Sequence, residues 1–259
     1  MAKPFIMVAP TGARLGKDTH KAVPLTIAEI TLTAAACHRA GADGLHLHIR
    51  DADGNHSLDP GLYREVIAAI NAQVPTLRIQ ITTEAAGRFD VATQLHCIET
   101  LRPSWASVSI REMARDTALA ARLYAVAAEA QTQIQHILYD TGDAALLARW
   151  QQEGIIRPRQ SDAILVLGRY ETGPPSAAQH IAPFLSTLPP RTRWMVCAFG
   201  AMEHPCLRHA ATLGGDLRVG FENSITGPDG SPWLDNAASV TALLRTLSMP
   251  PSSMPPSLT

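Results

Sequence analysis

Short apolar runs alternate with longer amphipathic segments from one end of the chain to the other. Phe5 to Pro10 (FIMVAP) reads as a strand, and Thr26 to Arg39 as a helix opened by Thr26 with Glu29 three residues on, a capping-box signature. Gly44 to Ile49 (GLHLHI) is the next strand. Asp59 to Ile70 is the next helix, with Asp59 placed to cap it and Pro60 at its first position. The same spacing predicts strands at Arg78 to Thr82, Trp105 to Ser109, Ile134 to Tyr139, Ala163 to Gly168, Trp194 to Phe199 and Leu217 to Glu222. A helix is expected after each: Val91 to Leu101, Thr117 to Ala130, Ala144 to Gln152, Ala177 to Leu188, Cys206 to Leu213 and Asn236 to Leu247.

Repeated strand–helix units require a parallel sheet, and eight of them favour an α/β fold closed into a single-domain (β/α)8 TIM barrel over residues 1–247. An open doubly wound sheet is the competing architecture. Its dinucleotide-binding form needs a Gly-x-Gly-x-x-Gly turn after the first strand, which Pro10-Thr11-Gly12-Ala13 does not supply. Residues 248–259 are rich in Pro, Ser and Met and are expected to be an irregular C-terminal extension.

Composition adds limits. The 259 residues suit one large domain, and 22 basic against 23 acidic residues give no field that would draw nucleic acid or a membrane surface. A local basic cluster for a small anion stays compatible with that balance. Cys37, Cys97, Cys197 and Cys206 form no C-x-x-C pair, so reduced, buried thiols are expected. The apolar run before Pro10 is too short for a secretion signal, and no window approaches the ~18–20 apolar residues of a membrane span. A soluble, cytoplasmic protein is the expectation.

Two constellations carry chemistry. His46-x-His48 lies at the end of a predicted strand, where residues i and i+2 share a face ~6.5–7 Å apart and both imidazoles can turn to one ion. Arg50 continues that parity, and Asp51 follows at the strand exit. On the last predicted strand, Arg218, Gly220 and Glu222 share the face opposite Leu217, Val219 and Phe221. Glu222 is therefore placed to complete a His2Glu set with one position open for water or substrate. The blander alternatives are a core histidine beside a surface one, and a plain Arg218–Glu222 salt bridge. Thr82, Thr83, Ser107 and Ser109 put hydroxyls at strand ends, where they suit a substrate carboxylate or a capping role. Arg14 and Lys17 in the first loop can meet an anion or remain solvated.

The segments PTGA, HLHIRDADG with DPGLYREVI, TLRPSWASVS and GGDLRVGFEN, taken in order, resemble the β-keto acid cleavage enzymes, among them 3-keto-5-aminohexanoate cleavage enzyme. The resemblance runs from about residue 5 to residue 247. It implies a (β/α)8 barrel assembled as a tetramer, with one zinc per subunit held by His46, His48 and Glu222. It implies a reaction in which a β-keto acid and acetyl-CoA exchange carbon fragments to give acetoacetate and a new acyl-CoA. Arg218 falls on the family's mechanistic arginine. Thr82, and Ser107 or Ser109, fall on the hydroxyls that hold the keto acid.

The sequence departs from the family pattern at Asn223, where the family carries an aspartate that cooperates with the arginine in proton transfer. A carboxamide has no group that titrates near neutral pH. Thr82-Thr83-Glu84 replaces a Ser-Thr-Gly type turn, which raises Glu84 as a substitute base or a partner for a cationic substrate group, against a solvated role. The family's fifth-strand glutamate has no counterpart in Gln135 to Asp140. The chain therefore reads as a zinc-dependent β-keto acid cleavage enzyme. The alternatives are a diverged member that binds metal and keto acid without turnover, and a barrel-type metal hydrolase. The last usually takes its H-x-H from the first strand, not the second. His2Glu suits zinc best, with cobalt, manganese and nickel able to use the same ligands.

Overall fold

The computed structural model describes residues 3–168 and 176–248. Eight parallel strands close into a barrel: β1 (Ile6–Val8), β2 (Gly44–Leu47), β5 (Arg78–Thr82), β6 (Trp105–Ser109), β7 (Gln133–Leu138), β8 (Asp162–Leu167), β9 (Trp194–Ala198) and β10 (Asp216–Val219). Closure is made where Ile6, Met7 and Val8 pair with Leu217, Arg218 and Val219, while Met7 and Val8 also pair with Gly44 and Leu45 on the other side. Each of the eight strands is paired on both edges, so the sheet has no free edge, which excludes the open doubly wound form.

The connecting helices are α1 (Ile27–Arg39), α2 (Pro60–Gln73), α3 (Val91–Leu101), the short α4 (Ile110–Met113), α5 (Thr117–Glu129), α6 (Thr141–Gln152), α7 (Ile181–Thr187), α8 (Glu203–Thr212) and α9 (Asn236–Ser248). Local chemistry explains where they start. Thr26 and Glu29 form the reciprocal capping box on α1, and Asp59 accepts from the Leu62 amide ahead of Pro60 on α2. Asp90, Asp116 and Asp140 cap α3, α5 and α6 in the same way. The predicted helix at 177–188 shortens to a 3-10 turn at Ala178–His180 followed by α7. A hairpin of β3 (Ile49–Arg50) and β4 (His56–Ser57), closed by Asp51 accepting from the Asp53 and Asn55 amides, was not foreseen.

Parity divides the strand residues between two cores, as a barrel requires. Ile6, Val8, Leu45, Leu47, Ile81, Leu165, Leu217 and Val219 face outward into the layer shared with the helices. Met7, Trp105, Ile137, Ile164, Val166, Met195 and Cys197 fill the barrel interior. At the N-terminal end the interior is plugged by polar contacts: Arg78 lies 4.7 Å over Trp105 and donates to Gln133, which donates to Asp162, and Arg193 bonds Asp216. The open, C-terminal end is left for the site. Ser248 ends α9, and the expected extension beyond it lies outside the described residues.

Candidate active site

His46 is the third residue of β2, and His48, expected within a strand running to Ile49, sits in the break between β2 and β3, one position past the end of β2. Glu222 arrives differently from the expectation. β10 stops at Val219, and Gly220, at φ +133°, turns the chain. A Cβ at Gly220 would stand 2.7 Å from the Ala9 carbonyl oxygen, so only glycine fits between the ends of β1 and β10. The turn, rather than strand parity, carries Glu222 over the mouth, where its amide bonds the Ala9 carbonyl at 3.0 Å.

The three side chains converge. His46 Nε2 and His48 Nε2 are 3.2 Å apart, and Glu222 Oε2 lies 3.3 Å from His48 Nε2 and 3.6 Å from His46 Nε2. Ligands bound tetrahedrally at ~2.0–2.2 Å stand about 3.3–3.5 Å from one another, so the triangle matches the edges of such a site. All three residues are buried. Burial, reinforced by Arg218 and His48, holds the His46 imidazole neutral, down at about 3. Burial, the largest single influence, would raise Glu222, but the Arg218 guanidinium together with His46 and His48 outweighs it and keeps the carboxyl well below its usual range. A neutral His46 and an ionised Glu222 are protonation states that suit a divalent ion.

Arg218 Nη2 contacts Glu222 Oε1 at 3.0 Å and Cys197 Sγ at 3.3 Å. A cavity of about 380 Å³ opens above it, lined on one side by Ile137, Tyr139, Val166 and Phe199 and on the other by Thr82, Ser109, Glu84 and Arg14. Thr82 Oγ1 accepts the Glu84 amide at 3.0 Å, and Ser109 Oγ, fully buried, has no hydrogen-bond partner among the described residues. Ser107 lies under the floor, 3.5 Å from Thr82 Oγ1. Thr83 turns away from the cavity and donates to the Ser107 carbonyl. Lys17 pairs with Glu29 at 2.7 Å, outside the site.

Glu84 is not solvated, as its bland reading had it. Arg14 Nη1 bonds its Oε1 at 2.9 Å, and its Oε2 reaches to 3.9 Å from His48 Nε2. Asn223 lines a second cavity of about 250 Å³ on the far side of Glu222, and neither atom of its amide finds a partner among the described residues. Arg50 ties the hairpin to the first loop through the Gly12 and Leu15 carbonyls. Sequence reasoning missed Gln80, Gln135 and Met195, which lie beneath His46. A polar residue at the interior parity of an otherwise apolar strand is the signal that marks the two glutamines.

The fold and this geometry define a class: a (β/α)8 barrel with a candidate divalent-metal centre and a paired arginine at its C-terminal mouth. The chain belongs to the beta-keto acid cleavage enzyme family, whose model matches residues 3–250. Among its relatives, 3-keto-5-aminohexanoate cleavage enzyme of Fusobacterium nucleatum is 29% identical over 87% of this chain and 84% of its own length. The 3-oxoadipate:acetyl-CoA acetyltransferase of Cupriavidus necator is 27% identical over 87% and 82%. Solved structures show the fold alone. ObcA in its apo form superposes with a TM-score of 0.64 at 17% identity, over 87% of this chain and 61% of that one, so the chain spans about three fifths of ObcA's length. A type I 3-dehydroquinate dehydratase from Clostridium difficile gives 0.62 at 10% identity, over 95% and 93%. No helix among the described residues is long and apolar enough to cross a membrane.

Proposed function

We propose that this family member is a zinc-dependent enzyme that transfers a carboxymethyl fragment from a β-keto acid to acetyl-CoA. The observation that carries the reading is the convergence of His46, His48 and Glu222 beside Arg218. The bond between C2 and C3 of the keto acid breaks, C2 joins the acetyl carbonyl carbon, and the CoA sulfur ends on the former keto carbon. The products are acetoacetate and a new acyl-CoA, with atoms in balance.

Each residue has a part. A divalent ion on His46, His48 and Glu222 would supply Lewis acidity toward the keto acid's oxygens. Arg218 holds a fixed positive charge where negative charge grows at C2, and preorganised charge of that kind is often the largest catalytic contribution. Thr82 and Ser109 offer hydroxyls to the keto acid's carboxylate at the cavity wall, with Ser107 behind Thr82 and Arg14 steadying Glu84. Thr83, bonded away from the cavity, serves the strand end rather than the substrate. Asn223 lines the second cavity with its amide unpartnered among the described residues, and a carboxamide there takes no proton. Two carboxylates outside the ligand set line the cavity, Glu84 and Glu112. Glu112 is engaged by the Ala85 amide and Gln94, whereas Glu84 reaches toward His48 and receives the C2 proton in place of the family's aspartate. A tetramer belongs to the same reading and is checked by light scattering.

The orphaned Asn223 amide favours one rival, a member that binds both ligands without turning over. Metal analysis and a panel of β-keto acids with acetyl-CoA separate the two. The proposed function predicts about one zinc per chain, acetoacetate from at least one keto acid, loss of turnover on chelation and its return with zinc. Product that forms only after Asn223→Asp would favour the silent binder. Turnover without any acyl-CoA would favour a hydrolase.

A further inference from the structure

Beneath the ligand set, the barrel interior holds a chain of hydrogen bonds that the reaction itself does not call for. His46 Nδ1 lies 2.7 Å from Gln80 Oε1. Gln80 Nε2 donates to Gln135 Oε1 at 3.0 Å, and Gln135 Nε2 points at Met195 Sδ at 3.8 Å. The four residues come from β2, β5, β7 and β9, and each is at most 3% exposed, so no bulk water competes for these groups.

A carboxamide has a donor end and an acceptor end, so two in series admit just two polarities. In the first, Gln135 presents its NH2 to the sulfur, Gln80 presents its NH2 to Gln135, and the Gln80 oxygen faces His46. The imidazole proton must then sit on Nδ1, which leaves Nε2 with a lone pair aimed at the ligand triangle. In the second, both amides are turned over. The Gln135 oxygen then faces the Met195 sulfur, and the His46 proton moves to Nε2. A thioether carries lone pairs and no proton, so that arrangement opposes two acceptors in a dry interior.

We propose that Met195, Gln135 and Gln80 form a polarity lock that holds His46 in its Nδ1–H tautomer, the one form of the neutral ring able to bind an ion through Nε2. Gln80 is a positioning residue: it acts through His46 and does not line the substrate cavity. The lock rests on the metal reading of the site, yet its primary sign is visible without metal. Partners of this kind fix ring orientation and tautomer in metal-binding histidines, and their loss typically weakens metal binding 10–100-fold.

The test is long-range 1H–15N NMR of the imidazoles in the metal-free protein, paired with zinc titration against a competing chelator. Wild type, Gln80→Met, Gln80→Glu and Met195→Gln are compared, with thermal melting as the check on folding. Expected are a pure Nδ1–H His46 in wild type and mixed tautomers with about 10–100-fold weaker zinc binding in Gln80→Met. Gln80→Glu keeps an acceptor facing Nδ1 and should bind zinc as tightly as wild type or more so. Met195→Gln offers Gln135 a donor as well as an acceptor, and should also mix the tautomers although Gln80 is intact.

An Nε2–H ring in wild type overturns the proposal. So does a folded Gln80→Met variant with wild-type tautomer and affinity. A pure Nδ1–H ring in Met195→Gln removes the sulfur from the lock and overturns it as stated. If Gln80→Met does not fold, wild type and the other two variants decide. If wild type shows the Nδ1–H ring but takes up no zinc, the metal reading falls while the tautomer lock stands.

Discussion

At single residues, burial decides which groups are reactive. Cys37 and Cys97 are pushed up to about 12, and Cys197 and Cys206 to about 11, in each case by desolvation first. A thiolate is the reactive form, so the folded protein should resist iodoacetamide at pH 8 while all four thiols react in guanidinium. Rapid labelling of the native state, followed by mass spectrometry, would contradict that. Gly220 makes an opposite demand: at φ +133° and 2.7 Å from the Ala9 carbonyl, it has no room for a methyl group. Gly220→Ala should cost at least ~1–3 kcal/mol of stability in urea titration and, by moving Glu222, weaken zinc binding. Residue types made the ligand set legible in the sequence, because His46, His48 and Glu222 have side chains whose chemistry announces itself. Gln80, Gln135 and Met195 do not, since an amide on a strand or a sulfur in a core gains its role from a neighbour that only the closed barrel supplies.

For whole elements, the ends matter more than the middles. The Thr26–Glu29 capping box satisfies two amides at the start of α1, and Lys17 leads the causes that pull the Glu29 carboxyl down to about 2. Thr26→Ala should lower stability by about 1 kcal/mol, read as a shift in the denaturation midpoint, with no change in metal content. An unchanged midpoint would show that helix packing alone holds α1. Apolar periodicity located all eight barrel strands, because each lies between two hydrophobic layers. It failed where backbone geometry takes over. β10 was expected to run through Glu222 and stops at Val219, and no periodicity foretold the β3–β4 hairpin, a two-residue pairing set by Asp51 closing a turn. Arg218 and Glu222 were therefore placed at the mouth correctly by a parity argument that holds only for Arg218.

Taken as a whole, the barrel is sensitive to acid at places distant from the site. His136 is held neutral on β7 and His204 in the first turn of α8, both lowered to about 4 by burial. A histidine whose folded value lies below its unfolded value of about 6.5 contributes stability that is complete above pH 6.5. That contribution is lost as pH falls from about 6.5 toward 4. Thermal melting between pH 7 and pH 4 should therefore fall steadily, and His136→Gln should flatten the slope while lowering the midpoint at pH 7. A flat profile in the wild type would show that these rings ionise without unfolding the barrel.

The direction of fragment transfer is the most exposed part of the functional reading, because a zinc site alone also suits hydrolysis. Zinc-loaded protein incubated with 13C-acetyl-CoA and an unlabelled β-keto acid should yield acetoacetate labelled at C3 and C4. The new acyl-CoA should carry no label. Unlabelled acetoacetate, or label released as free acetate with no new CoA ester, would contradict the proposed reaction.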